Sequence, residues 1–335
     1  MDGILKKIKQ SDAFNRENRV PYLKVIVLMS LFTFVFLGAE FLFVNMISRI
    51  VSGHRSVAAQ NYALGVSTVG FVLYPLLCRF CKGNTQTSVS VCAAVISNAC
   101  LFLMCRSGSY TLTLIAGLLL FLILGVFGSA VFYKSLCLLE DNTHIARLTG
   151  ISYMLGTMLQ IANSNLVHID IAEAAILSVF IMLLALMLIR AEKNSVVPAL
   201  SKSEPDGGNG RESLKISVIL VFFVALMTCI FSTLDNAVTL IHASGEANIG
   251  QWPRVLLALS GLLAGFLFDT ASRKYMSIVM YCITVLSTTC LVILQFAGSF
   301  TVGLVIFYLA AGFFAVFFTV SATTSNGWPL TLCSA

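Results

Sequence analysis

The chain of 335 residues is 58% hydrophobic and only 11% charged, with a mean hydropathy of +0.92. That much apolar surface exceeds what a soluble core of this length can hide, which excludes an ordinary soluble domain and points to a membrane protein. The formal charge of +6 is accounted for by membrane topology and calls for no nucleic-acid partner. Ten cysteines do not make a disulfide framework here. Cys92, Cys100, Cys105, Cys229, Cys282 and Cys290 lie within or at the ends of apolar runs and read as buried thiols.

Residues 1–24 carry Lys6, Lys7, Lys9, Arg16, Arg19 and Lys24 ahead of any long apolar run, as a basic cytoplasmic lead resting on anionic lipid would. Ten apolar segments of about membrane length follow, at roughly 25–48, 57–78, 88–105, 110–133, 146–166, 171–190, 216–241, 253–268, 276–296 and 300–322. Their continuous apolar length, without two-residue alternation, argues for helices and against an outer-membrane barrel. The expected fold is therefore an all-α polytopic bundle.

With the amino terminus inside, only Arg49, Arg55, Arg106 and Arg254 of the 21 Lys and Arg fall in outer connections. This asymmetry predicts a multi-pass protein of a bacterial cytoplasmic membrane, with its N-terminus in the cytoplasm. Residues 191–215 contain Ser201-Lys-Ser-Glu-Pro-Asp-Gly-Gly-Asn-Gly210, the composition of a solvated linker. It separates a six-helix block at 25–190 from a four-helix block at 216–335.

An ionisable side chain at mid-membrane costs about 2.5–3.5 kcal/mol on insertion scales, so acids inside apolar segments are functional candidates. Glu40 in the first segment and Asp235 in the seventh stand out. Amides form a second group: Asn45 beyond Glu40, Asn236 beside Asp235, and Gln160 with Asn163, three apart on one face of the fifth segment. These six are the candidates for substrate or ion-coupling contacts. No phosphate-binding glycine loop and no helical His-Glu-x-x-His occurs, so neither enzyme activity, a cofactor nor a metal site is expected.

Between the eighth and ninth segments the chain reads Gly265-Phe-Leu-Phe-Asp269-Thr-Ala-Ser-Arg273-Lys274. Gly265 and Asp269 share a helix face, where the glycine admits a neighbouring helix and the aspartate sits at the polar mouth of the contact. The stretch resembles the loop signature of the major facilitator superfamily, with Ser272 where a second glycine is usual. The copy expected between segments two and three is degenerate, with Gly70, Tyr74 and Arg79. The resemblance implies a secondary transporter of two six-helix halves rocking about a midplane cavity. Its ligand would be a small solute, with a proton or another ion as the coupling partner. It implies further that Gly265, Asp269, Arg273 and Lys274 stabilise one end state; in the family the aspartate faces the start of an eleventh helix, which the ten segments counted here do not supply. Six segments and then four suggest a product truncated after ten helices, with the small-residue faces of Gly303 and Gly312 left open to lipid. Two other readings fit the pattern: a ten-helix drug and metabolite carrier of two five-helix repeats, and a non-transporting membrane sensor.

Overall fold

Apolar runs that cannot alternate in and out of water have one stable solution in hydrocarbon, a helix that satisfies its own backbone. The structure, a computed structural model, describes residues 19–51, 53–80, 84–139, 144–194, 236, 252–270, 278–286, 289 and 300–324. Among these it is all-helical. The long helices are α1 (Arg19–Ile50), α2 (His54–Phe80), α3 (Asn84–Arg106), α4 (Tyr110–Leu138), α5 (Ile145–Leu166), α6 (Asp170–Asn194), α7 (Trp252–Thr270) and α8 (Phe300–Thr324). A further helical stretch lies at 278–286. The first six and the eighth and tenth apolar segments thus correspond to α1–α6, α7 and α8. The seventh segment lies outside the described residues except for Asn236, which is helical. The 191–215 linker beyond its first residues, and the chain after 324, lie outside them too.

Among the described residues, five helices, within α1, α2, α3, α4 and α6, are long and apolar enough to cross a membrane. Their outward faces are apolar: Val69, Val72 and Leu76 on α2, Ile115 and Leu119 on α4, and Val179, Leu183 and Leu186 on α6 are all exposed. Exposed aliphatic side chains on helix after helix suit lipid as the surrounding solvent. The structure is that of a helical membrane protein.

α1 packs on α4, α5 and α6, while α2 lies along α4 and α3 bridges α4 and α6. The core between them is aromatic and aliphatic. Phe43, Phe121, Leu177, Ile181 and Leu184 are fully buried, and Phe36, Phe43 and Phe121 meet edge to face. A smaller core joins α7, α8 and the 278–286 helix through Ala264, Phe268, Met280, Phe307, Val316 and Phe317, and it takes in Ala146 of α5. α5 therefore has two partners, α1 on one side and α7 with α8 on the other. That position explains its composition: Thr149, Ser152, Thr157, Gln160 and Asn163 are all buried, and a helix enclosed by protein can carry polar groups that lipid would reject.

Backbone approach is closest at two glycine pairs. Gly70 of α2 lies on Gly125 of α4, where a Cβ on either would stand 3.0 Å from the other's Cα. Gly150 of α5 lies on Gly265 of α7, where a Cβ at Gly150 would stand 2.7 Å from the Gly261 carbonyl oxygen and 2.8 Å from the Gly265 Cα. The expectation that Gly303 and Gly312 face lipid is corrected. Both are buried, and Gly312 lets α8 lie against α7, where a Cβ would come within 2.6 Å of the Leu257 carbonyl oxygen.

Because backbone rather than a flexible side chain blocks the space, Gly150→Val should lower stability by about 1–3 kcal/mol or more, the scale of overpacking. Gly65→Val, on a face of α2 with nothing within 4 Å, should change it little. Thermal unfolding of the two purified variants against wild type in detergent checks the contrast.

Candidate functional site

α5 and α7 run antiparallel, and polar contacts close both ends of the seam between them. At one end Asp269, in the last turn of α7, meets the first turn of α5. Its Oδ2 accepts from Arg147 Nη2 at 2.6 Å and lies 3.3 Å from His144 Nδ1. Arg147 also stands over the Phe266 ring, 5.2 Å from its centroid. The Asp269 side chain is only 2% exposed and that of Arg147 18%. The site is built for an anion, since the free N–H groups and positive dipole end of α5 start at His144, its N-cap. Asp269 thus faces the start of α5. The pair is incompletely satisfied: Asp269 Oδ1 and Arg147 Nε are buried without a hydrogen-bond partner. Arg273 and Lys274 lie outside the described residues.

At the other end a second cluster joins α1, α2, α5 and α7. Gln60 Nε2 donates to Glu40 Oε1 at 2.9 Å, and Arg254 Nη1 donates to Gln160 Oε1 at 3.2 Å. The Arg254 guanidinium lies over the Phe41 ring, 4.5 Å from its centroid, and within electrostatic reach of Glu40. The Tyr153 hydroxyl of α5 is also within reach of Glu40. Gln60 and Gln160 are 6% and 2% exposed, so these are interior contacts. Because Arg254 can only donate, the Gln160 atom it meets must be the oxygen, which fixes the amide nitrogen as the other atom. That nitrogen, Asn163 Nδ2 and Thr157 Oγ1 are buried and have no hydrogen-bond partner. Three orphaned polar groups within two turns of one enclosed helix form the least satisfied region of α5.

A third group lies at the same end of the bundle. Arg49 of α1 pairs through both guanidinium nitrogens with the two carboxylate oxygens of Asp170, at the start of α6. One turn further on, Glu173 is 4% exposed, and its Oε1 has no hydrogen-bond partner. The Cys105 thiol of α3 donates to the Asp170 carbonyl oxygen at 3.7 Å, which completes the contact of three helices. The opposite end holds a small cavity of about 40 Å³ lined by Tyr74, Gln86, Ser90 and Lys134, with Lys134 Nζ bound to the Leu188 carbonyl oxygen at 2.7 Å. It has room for water only.

Of the six residues singled out for substrate or coupling, the structure brings Glu40 and Gln160 into one cluster, and Asn163 stands one turn beyond Gln160 without a partner. Asn45 joins none of these hydrogen bonds, since five residues turn a helix by about 140° away from Glu40. Asn236 is half-buried with its Oδ1 unpartnered, and Asp235 lies outside the described residues. Sequence reasoning missed Arg254, assigned to an outer loop, and it missed Gln60 and Glu173. Each lies inside an apolar segment as drawn from the sequence, and that placement was the available signal. Among the described residues no group of His, Cys, Asp and Glu could hold a metal ion.

Compared with protein-family models and with curated proteins, the chain matches none. The functional reading therefore rests on the site itself.

Removing one member of a buried ion pair leaves a charge without compensation, at about 3–5 kcal/mol. Arg147→Met should destabilise on that scale, and Arg147→Met with Asp269→Leu should recover most of the loss. A double-mutant cycle read by denaturant unfolding in bicelles measures the coupling.

Proposed function

We propose that the protein is a secondary transporter of major facilitator type, which carries a small polar solute across a membrane by alternating access. The observation that carries this reading is the set of orphaned, buried groups beside the Glu40, Gln60, Gln160 and Arg254 cluster: Gln160 Nε2, Asn163 Nδ2 and Thr157 Oγ1. Each buried polar group left unpaired costs about 1–3 kcal/mol, and a protein that keeps three on one helix gains when a solute satisfies them. Glu40 supplies carboxyl oxygens and Arg254 a guanidinium, so the cluster can meet both donors and acceptors on a small molecule.

The two ends of the α5–α7 seam divide the work. Asp269, Arg147 and His144 hold one end shut, through a pair whose own unsatisfied atoms leave room for exchange. The Arg254 to Gln160 bond holds the other. One turn inside the Asp269 end lies the Gly150 to Gly265 contact, where backbone meets backbone and on which two blocks can pivot. Alternating access follows if the solute's contacts replace the bonds of one end while those of the other reform. In the same reading the membrane is a bacterial cytoplasmic membrane with the N-terminus inside, and transport is driven by a gradient.

Purified protein in proteoliposomes, screened against amino acids, sugars, nucleosides and small amines, should show saturable flux of one class. Glu40→Gln and Gln160→Leu should each reduce that flux roughly tenfold or more, as expected for a lost hydrogen bond to a charged or buried partner, without loss of folded protein. Saturable binding without flux would favour a sensor. Flux unchanged in both variants would remove the cluster from the path.

A further inference from the structure

Helices α1, α5 and α7 converge on Gln160. Gly156 of α5 lies against α1, where a Cβ would come within 2.7 Å of the Ser30 carbonyl oxygen, and the Tyr153 ring lies against α7, where a Cβ at Gly261 would come within 2.6 Å of it. At about 100° per residue, Gln160 projects between those two directions, into the wedge of α1 and α7. Arg254 of α7 closes the wedge: Nη1 donates to Gln160 Oε1 at 3.2 Å, and the guanidinium lies 4.5 Å from the centroid of the Phe41 ring on α1. Along the seam, Thr157 falls between the Tyr153 ring and the Arg254 bond.

The atoms left unsatisfied along this face share one chemistry. Gln160 Nε2 and Asn163 Nδ2 are buried without an acceptor, on side chains of residues 2% and 8% exposed, and an amide nitrogen can only donate. Thr157 Oγ1, equally orphaned, has a hydrogen of its own to give. Gln160 is the strongest of these donors, because a cation on its oxygen draws charge from the amide and polarises the N–H bonds. The acid on the α1 side does not fill the position, since Glu40 takes its hydrogen bond from Gln60 of α2. What these donors call for is an acceptor, and the guanidinium beside them selects an anionic one. A hydrogen bond to an ionised oxygen is about twice as strong as one between neutral groups, and a carboxylate can accept from an amide and a guanidinium at once through its two oxygens.

We propose that the wedge is a carboxylate site: the solute is a small organic acid or amino acid whose carboxylate accepts from Gln160 Nε2 and from the Arg254 guanidinium, with Asn163 and Thr157 as further donors. The assignment rests on the transport reading above and narrows it to one chemical class. A phosphate group, which carries more than a single charge at neutral pH, is the poorer match to one guanidinium and one amide.

Binding is read on the purified full chain in detergent by the shift of its thermal unfolding with free ligand, which needs no flux. The probes are the proteinogenic amino acids, lactate, pyruvate and succinate at millimolar concentration, with each acid that binds repeated as its amide, and choline, glucose, uridine and inorganic phosphate beside them. At least one carboxylate should stabilise the protein, and amidation should weaken its apparent affinity about tenfold or more, the scale of a lost hydrogen bond to a charged group. Gln160→Glu keeps an oxygen for Arg254 and puts a second oxygen in place of the N–H donor, so it should remain folded and lose the carboxylate response. Stabilisation by none of the carboxylates, equal binding of acid and amide, or a folded Gln160→Glu protein that still binds the acid would each overturn the proposal, and so would a response to choline, glucose, uridine or phosphate in place of the acids. The wild-type arms need no variant. Flux is a separate measurement: transport of a solute without a carboxylate removes this proposal and leaves the transport reading standing, while a carboxylate that is bound but never carried does the reverse.

Discussion

An ionisable side chain inside an apolar bundle must find a partner, and the arrangement of this protein follows from where those partners are found. Asp269 finds Arg147 and His144 at the start of α5, Glu40 finds Gln60 and the field of Arg254, and Asp170 finds Arg49. The Asp269 and Asp170 contacts join helices far apart in the chain, while Glu40 and Gln60 pin the consecutive helices α1 and α2 to each other. The apolar faces would tolerate many rotations of one helix against another, since lipid is as good a solvent for leucine as leucine is. The charges select one.

α5 carries most of this selection. It is enclosed between α1 and the α7–α8 pair, and its buried polar residues have no lipid-facing alternative. The ends of the α5–α7 seam are polar, and one turn inside the Asp269 end backbone lies on backbone at Gly150 and Gly265. Such a seam is stiff in spacing but weak in interlock, and free energy stored in unsatisfied atoms at either end is available to a ligand that completes them. A structure optimised only for stability would have no reason to leave Gln160, Asn163 and Thr157 short of partners.

Much of the scaffold was legible because hydrocarbon imposes a length and a continuity that can be read from apolar runs. α5 was placed at 146–166 and is found at Ile145–Leu166, and α1 extends beyond 25–48 because its amphipathic ends continue the helix into the polar zone. Glu40 was legible for the same reason, as an acid where none is cheap. Arg254 was not, since counting charges by topology assigns every cation near a segment end to a loop, although a first-turn arginine can reach back along the helix to Gln160. Glu173 lies inside the sixth apolar segment as drawn, close enough to its start to be passed over. The partners themselves were beyond sequence periodicity. Nothing local in the chain relates Arg147 to Asp269 or Gln60 to Glu40, and the dipole end of α5 as the anion site for Asp269 is visible only once the helices are packed.

The central claim is that the buried polar face of α5 becomes open to water from either side of the membrane. Thr157, at 1% exposure the most enclosed of the three orphaned groups, is the place to measure it. In a background freed of native cysteines, Thr157→Cys in oriented vesicles is treated with a membrane-impermeant thiol reagent from each side in turn. The account predicts labelling from both sides, slowed from both by the transported solute. A thiol that never reacts, or that reacts from one side alone, would contradict it.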